Sequence, residues 1–287
     1  MRGVKINPGP LLMILAGLCF ALMIACVKVL RVELSALEVM FWRGLVAAPL
    51  AAVLTVGRSR AIRAKRLFGL RITFGVGGMF CYYSATRMMP LADLTLVTRL
   101  QPILIAIVAP MVYGAAERSS GRVWGLLAAG MVGCGLLLAP RLALDGAGGG
   151  WWALGALTFS GAAHLCLRGL KGEDTRAVVL WMQVAIALVA GAGVVVWRGA
   201  PALPPEGMWG WALGVGVFAT AGQLALTRAY ALGRASVVAG ASNVSPLWAV
   251  GLDVALFSVF PSISVLLGGA LILGASLGLV VLRERQP

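Results

Sequence analysis

Three ionisable residues, Arg43, Arg99 and Asp253, lie inside long apolar segments of the sequence. At a helical rise of about 1.5 Å per residue, the arginines fall about 4 Å and the aspartate about 9 Å from the centres of their segments. Charges at such depth in a membrane are costly, so they are paired or functional. Asp253 can neutralise Arg43 or Arg99 as an ion pair or coupling group. Alternatively the unpaired guanidinium, Arg99 being the better candidate, binds a substrate carboxylate through two parallel hydrogen bonds.

Neutral polar and aromatic side chains in the same segments suit the wall of a cavity, where a ring can stack on a flat solute. We predict these as substrate-binding residues: Gln101, Asn243, Ser245, Tyr82, Tyr83, Trp248 and Trp42. Pro102 and Pro246 remove backbone donors in mid-segment, which leaves carbonyl groups available and allows a bend. We predict gating or hinge roles for both prolines, with a tolerated kink as the alternative.

The composition of the chain is that of an integral membrane protein. Hydrophobic residues make up 60% and charged residues 12% of the 287 residues, against roughly 45–50% and about 25% in soluble domains. Apolar runs of roughly 20 residues, the length that crosses a bilayer, occur near 8–29, 35–56, 67–86, 91–112, 122–139, 150–169, 176–197, 208–230, 235–258 and 261–282. The predicted fold class is all-α, with ten transmembrane helices.

The basic residues indicate how the chain is oriented in the membrane. Fifteen fall at the termini and in even-numbered loops: Arg2, Lys5, Arg58, Arg60, Arg63, Lys65, Arg66, Arg118, Arg122, Arg168, Lys171, Arg176, Arg234, Arg283 and Arg285. Four fall in the other loops: Arg31, Arg87, Arg141 and Arg198. This asymmetry predicts a bacterial-type inner membrane protein with both termini in the cytoplasm. Because the net charge of +14 is spread over loops rather than one surface, nucleic acid is not a predicted partner.

Cofactors and membrane-embedded catalysis are disfavoured. The five cysteines lie in apolar segments without C-x-x-C spacing, so we predict core residues and neither disulfides nor a metal. A membrane enzyme would need several convergent His, Asp, Glu or Cys residues, whereas the chain has one histidine, His164, which we interpret as a packing or hydrogen-bonding residue. The sequence also has no phosphate-binding loop through which ATP would drive transport.

An internal repeat divides the chain into residues 1–143 and 144–287. At an offset of 144 residues the following pairs match: Ala85 with Ala229, Pro102 with Pro246, Gly125 with Gly269, and Gly130 with Gly274. Each half contains five predicted helices. Because five is odd, the second copy must be inverted in the membrane, an architecture typical of secondary transporters with a binding site between the repeats.

Glycines four residues apart predict close contacts between helices. The pairs are Gly121/Gly125, Gly210/Gly214 and Gly274/Gly278. Internal packing is the favoured use of these pairs and a dimer face the alternative, so we expect a monomer or a weak dimer.

Short motifs give the chain a resemblance to a known family. The motifs are Phe41-Trp42-Arg43, residues 114–118 (Gly-Ala-Ala-Glu-Arg), and Gly125, Gly130, Gly133 and Gly135. With the ten-helix pattern, they resemble the drug/metabolite transporter superfamily, specifically bacterial members with two EamA-type repeats. The resemblance implies export of small organic solutes, with helices 3, 4, 8 and 9 around a central cavity. The second half departs from the pattern, because Pro261 occupies the position that matches Glu117.

The predicted function is a secondary transporter that exports amino acids, aromatic ones included, or related metabolites by alternating access. A multidrug or lipophilic-cation efflux carrier is the main alternative, and an integral-membrane enzyme is a weaker one. Channels and receptors are disfavoured, since the sequence has no filter loop or ring of like charges. Proton antiport and uncoupled facilitation both stay open.

Overall fold

The computed structural model of the chain describes residues 7–89, 91–138, 149–248, 250–251 and 262–282. Within these ranges every regular element is helical. The α-helices are α1 (Pro8–Leu30), α2 (Ala36–Leu54), α3 (Lys65–Ala85), α4 (Leu91–Thr98), α5 (Gln101–Tyr113), α6 (Gly121–Leu138), α7 (Gly150–Gly169), α8 (Thr175–Arg198), α9 (Trp209–Leu232), α10 (Ala235–Ala241) and α11 (Ile263–Val281). Short 3-10 turns cover Ala115–Glu117 and Ser242–Val244.

Seven segments of the described ranges are long and apolar enough to cross a membrane. They are helices α1, α2, α6, α8, α9 and α11, together with Asp93–Tyr113, which joins α4 and α5. Helices α3 and α7 have similar lengths but are less apolar. The prediction of an all-helical membrane protein is therefore confirmed, while the count of ten spans and their inverted arrangement stay predictions.

Two of the predicted segments are broken instead of continuous. Between α4 and α5 the chain makes a turn at Arg99–Leu100. One repeat later the 3-10 turn Ser242–Val244 separates α10 from helical residues 245–248. Pro102 and Pro246 follow the two breaks, and neither can donate the backbone hydrogen bond that would carry the helix through them. The predicted bends thus take the form of interruptions at matching positions of the repeat.

Side-chain caps set where several helices begin. The Asn7 side chain accepts a hydrogen bond from the Gly9 amide, 3.1 Å away, at the start of α1. At the start of α2, Ser35 and Glu38 cap each other's backbone amides at 2.7 and 3.2 Å, the reciprocal arrangement of a capping box. At the start of α8 the Asp174 side chain accepts a hydrogen bond from the Arg176 amide at 2.8 Å. Capping side chains just before these helices therefore determine where α1, α2 and α8 begin.

The core is formed by pairs of helices from the two halves of the chain. Helix α1 packs most extensively on α9, α3 on α7, α2 on α8, and α6 on α11. Helix α5 packs on α10, so the two broken segments also meet. The five cysteines are free, and all except the half-buried Cys19 are buried in this packing, as predicted.

Helices approach each other closely at glycines, but most of the glycines predicted to do this do not. A methyl group added to Gly133 of α6 would lie 2.8 Å from the Gly268 carbonyl oxygen of α11, and one added to Gly268 would lie 2.6 Å from the Gly133 oxygen. The predicted contact at Gly121/Gly125 is wrong, since nothing lies within 4 Å of a methyl group at either position. Within the other pairs, Gly214 and Gly278 are closely packed, whereas Gly210 and Gly274 are not. A four-residue spacing marks a helix face but does not say which face meets a neighbour.

Candidate functional site

Arg99 connects the two broken segments. It lies half-buried in the turn between α4 and α5, and its Nη1 donates a hydrogen bond to the Ser242 carbonyl oxygen at 2.6 Å. That oxygen lacks the usual backbone donor four residues later, because the residue there is Pro246. It accepts instead from the amide and the hydroxyl of Ser245, the hydroxyl at 2.9 Å. Pro246 was predicted to leave a backbone carbonyl available. That carbonyl belongs to Ser242, and it accepts a hydrogen bond from the Arg99 guanidinium in the other half of the chain.

Arg43 is a second buried guanidinium, on α2, with 1% of its surface exposed. Its Nη1 contacts the sulfur of Met79, and its Nε has no hydrogen-bond partner. The Tyr83 hydroxyl lies within electrostatic range of this guanidinium. The Tyr82 ring lies 6.4 Å from the Tyr83 ring, centroid to centroid. The structure thus brings Arg43 and Tyr83 together, whereas Tyr82 lies within electrostatic range of Arg99.

Arg71 of α3 is a third buried guanidinium, which the sequence analysis missed. It is 3% exposed, its Nη2 donates to Gln223 Oε1 of α9 at 3.3 Å, and its Nε has no partner. A methyl group at Gly75, one turn further along, would collide with the guanidinium, so glycine there provides the room. Arg71 is near the start of its apolar run, where an arginine can extend to the membrane surface. The position of Arg71 inside this apolar run was the feature of the sequence that could have identified it as a candidate.

His164 lies between the polar groups of α5 and α9. The Gln101 side-chain amide is hydrogen-bonded to His164 Nδ1. The imidazole lies 5.2 Å from the ring of Tyr230, whose hydroxyl is buried without a partner. The prediction that His164 serves in packing and hydrogen bonding agrees with these contacts.

The guanidiniums of Arg43, Arg71 and Arg99 have no counter-ion among the described residues. Salt bridges within the described ranges join Arg58 to Asp174, Arg168 to Glu117, and Arg198 to Glu38. No carboxylate described by the structure lies within 4.0 Å of Arg43, Arg71 or Arg99. Asp253, the predicted counter-ion, falls outside the described residues. Among the residues described, no cluster of His, Cys, Asp or Glu could hold a metal ion.

The remaining predicted binding residues divide into two locations. Asn243 is 2% exposed, and its Oδ1 has no partner. Gly17 of α1 leaves room for the Ser245 hydroxyl and the Trp248 indole, whose N–H also lacks a partner. These three side chains adjoin the second break. Trp42 lies elsewhere, since its N–H donates to the Ala202 carbonyl in the loop before α9 at 2.9 Å.

A buried ion pair ties four helix ends together on one side of the bundle. Gly114 takes φ of +81° at the end of α5, which turns the chain so that Glu117 points inward. Glu117 Oε1 accepts from Arg168 Nε of α7 at 2.7 Å, and Oε2 accepts from the Ala235 amide that opens α10 at 2.9 Å. Arg168 Nη1 donates to the Tyr230 carbonyl of α9 at 3.3 Å. Glu117 therefore anchors the loop between α5 and α6 to α7 and α10.

The opposite ends of the helices carry a more exposed polar cluster. Glu38 accepts from Arg198 Nη1 at 3.1 Å and from the Ala202 amide at 3.2 Å. Nearby, Arg87 donates to the Arg31 carbonyl at 2.8 Å. Burial and, second, the charge of Arg87 lower the pKa of Arg31 to about 10, so Arg31 stays charged at neutral pH. Side-chain hydrogen bonds and ion pairs thus connect helices at both ends of the bundle.

Comparison with known proteins identifies the family. Residues 7–139 and residues 147–281 each match the model of the EamA-like transporter family. The chain is 26% identical over 278 residues to the "Pseudopaline exporter CntI" of Pseudomonas aeruginosa, with 96% of each chain covered. It is 24% identical over 281 residues to an uncharacterized transporter of Helicobacter pylori, covering 94% of this chain and 93% of that one.

A crystal structure with the same fold superposes with a TM-score of 0.81 at 19% identity, covering 97% of this chain and 99% of that one. The matched family consists of transporters, so the chain is a transporter and not an enzyme. Its small-molecule substrate crosses a membrane in which the chain is a multi-pass protein. The chain belongs to the EamA-like transporter family of the drug/metabolite transporter superfamily.

Proposed function

We propose that the chain is a secondary transporter that exports amino acids or related small solutes bearing a carboxylate, by alternating access between two inverted repeats. The observation that carries the proposal is the set of three guanidiniums, buried at Arg43 and Arg71 and half-buried at Arg99, with no carboxylate within 4.0 Å among the described residues. A site with uncompensated cations in a low dielectric attracts anions. A carboxylate is the anionic group that amino acids and many metabolites share.

The pattern of helix packing supports the inverted repeats. With the repeat offset, α1 corresponds to α7, α3 to α9, α2 to α8 and α6 to α11. The packing of α1 on α9 then has its counterpart in α7 on α3, while α2 on α8 and α6 on α11 each map onto themselves. A twofold axis between the halves requires this reciprocity. With five spans in each of residues 1–143 and 144–287, that axis lies in the membrane plane and both termini face the cytoplasm of a bacterial-type inner membrane.

Arg99 offers the geometry for the carboxylate. Its Nη1 is occupied by the Ser242 carbonyl, and its Nε has no partner. The edge formed by Nε and Nη2 is the one that binds a carboxylate with two parallel hydrogen bonds. Nearby, Asn243 Oδ1 is a buried acceptor without a donor, which suits a substrate ammonium group. A cation at the first break and an acceptor at the second match the two charged groups of an amino acid.

The same charges argue against the lipophilic-cation alternative. A cation about 8 Å from one guanidinium is repelled by roughly 2 kcal/mol at an effective dielectric constant of about 20. Three guanidiniums without described carboxylates multiply that penalty, whereas an anion gains from each of them. Aromatic side chains such as Tyr82 contribute flat surface for a ring but do not require one.

The test is counterflow with purified protein in proteoliposomes. Radiolabelled amino acids are offered in parallel with a lipophilic cation, tetraphenylphosphonium. We expect saturable amino-acid counterflow, which Arg99→Ala reduces by about a hundredfold because a bidentate charge-assisted contact is lost. The control is Arg228→Ala, a change at an exposed arginine of α9, which should leave the rate unchanged. Counterflow of the cation alone, or an unchanged rate in Arg99→Ala, would contradict the proposal. An imposed pH gradient then separates proton antiport, which it accelerates, from facilitation.

A further inference from the structure

Arg71 carries a buried charge that the surrounding helices leave largely unsatisfied. A guanidinium has five N–H donors, and the one side-chain hydrogen bond that Arg71 forms with a described residue is the 3.3 Å contact to Gln223. Its Nε has no partner although the residue is 3% exposed. A structural ion pair does not account for Arg71, since no described carboxylate lies within 4.0 Å. A buried charge with so few partners is costly unless a ligand supplies the counter-charge.

A second unpartnered group adjoins this guanidinium. The Tyr230 side chain of α9 is fully buried, and its hydroxyl forms no hydrogen bond. It lies within electrostatic range of Arg71. A phenolic hydroxyl donates readily to a carboxylate oxygen. Arg71 and Tyr230 are therefore two buried donors within electrostatic range of each other, and neither Arg71 Nε nor the Tyr230 hydroxyl has an acceptor among the described residues.

Contacts of His164 link the surroundings of Arg71 on α3 with those of Arg99, which precedes α5. His164 interacts electrostatically with both Arg71 and Arg99. Its Nδ1 is hydrogen-bonded to Gln101, two residues after Arg99, and its ring packs against Tyr230. The imidazole thus adjoins both arginine sites.

We propose that Arg71 and Tyr230 form a second anion subsite, and that the favoured substrate carries two carboxylates, one bound at Arg71 and the other at Arg99. The inference rests on the proposed function, in which Arg99 binds the first carboxylate. Arg43 strengthens the second subsite, because its like charge acts on Arg71 and a bound anion relieves that repulsion. The substrate class is therefore dicarboxylic amino acids and related diacids.

The test uses pairs of compounds that differ only in the second carboxylate: glutamate and glutamine, aspartate and asparagine, succinate and succinamate. Affinity is measured by thermal stabilisation of the purified full-length protein in detergent, and transport by glutamate counterflow. In the wild-type protein we expect the acid of at least one pair to bind about tenfold or more tightly than its amide. Arg71→Gln should lower the affinity for that acid to the value for the amide and leave the amide unaffected.

Two further variants separate binding from a structural role. Tyr230→Phe removes only the unpartnered hydroxyl, so it should reduce the preference for the acid several-fold without lowering the melting temperature of the free protein. Tyr230→Phe decides the question if Arg71→Gln does not fold. Arg228→Gln changes an exposed arginine on the same helix and should leave the preference intact.

The outcomes distinguish the inference from the proposed function. Equal binding of acid and amide by the wild-type protein, lost in Arg99→Ala, would overturn the second subsite while supporting the first. An acid preference that survives both Arg71→Gln and Tyr230→Phe would also overturn the second subsite. An absence of binding by every member of the three pairs would overturn both proposals.

Discussion

Breaking the ion pair between Glu117 and Arg168 should destabilise the protein far more than breaking an exposed one. The two side chains are 4% and 9% exposed, and the contact is 2.7 Å long. Removing one partner of a fully buried pair costs about 3–5 kcal/mol, because the other charge is left without compensation. Here Arg168 keeps its 3.3 Å bond to the Tyr230 carbonyl, so the lower end applies. Glu117→Gln should therefore cost about 3 kcal/mol, or about 150-fold in the folding equilibrium.

The pair between Glu38 and Arg198, in which the carboxylate is buried and the arginine is exposed, provides the control. Arg198 is 54% exposed, so solvent already screens its charge, and such pairs contribute about 0–1 kcal/mol. Glu38 also keeps its bonds to the Ser35 and Ala202 amides when the arginine is removed. Arg198→Gln should thus lower the free energy of unfolding by less than about 1 kcal/mol.

A double-mutant cycle measured by equilibrium unfolding in detergent micelles tests the reasoning. Because Glu117→Gln together with Arg168→Gln removes both buried charges, the double variant should be more stable than the sum of the single losses predicts. Strictly additive losses would refute the buried pair as their source. A loss in Glu117→Gln no larger than that in Arg198→Gln would refute the argument from burial.

Two further predictions concern the backbone. Gly133→Ala should destabilise the protein by about 1–3 kcal/mol, because the added methyl group meets the backbone of α11. At Gly125 no described atom lies within 4 Å of an added methyl group, so Gly125→Ala should stabilise the protein by up to about 1 kcal/mol. Both free energies of unfolding are measured in detergent, and equal effects of the two substitutions would exclude the contact at Gly133. Pro246→Ala restores a backbone donor to the Ser242 carbonyl in competition with Arg99, so counterflow should slow several-fold with stability retained. An unchanged counterflow rate would make Pro246 a tolerated kink.

The sequence was sufficient to predict the helices because each is an apolar run whose length the bilayer sets. It was also sufficient to predict the consequence of Pro246, since a missing N–H is a property of one residue. Arg99 is the donor that replaces the missing N–H of Pro246. Its identity depends on how α5 packs against α10, so the sequence predicted only that a carbonyl group would be left available. The depth of Arg99 within its apolar segment therefore identified it as a candidate, but it did not identify the Ser242 carbonyl as its hydrogen-bond partner.

The features that the sequence analysis missed depend on contacts between distant segments. Arg71 looked like an arginine near a helix end, and only the packing of α3 against α7 and its contact with Gln223 of α9 show that it is buried. The glycine contacts failed for the same reason, because Gly125 and Gly133 lie on one helix and only Gly133 faces α11. Spacing along a helix fixes which residues share a face, whereas the neighbour of that face is a tertiary property.

The two breaks match in backbone but differ in side chains, and the difference bears directly on the proposed mechanism. Asn243 occupies the repeat position of Arg99, so one half contributes the guanidinium and the other an amide beside the Ser242 carbonyl. A matched backbone gives the two halves interchangeable conformations, which alternating access requires. The bond from Arg99 to that carbonyl crosses between the halves, so their relative motion must stretch or replace it. A substrate carboxylate on the free edge of Arg99 competes for the same guanidinium, and binding of the solute can in this way loosen the link that holds the halves in one state.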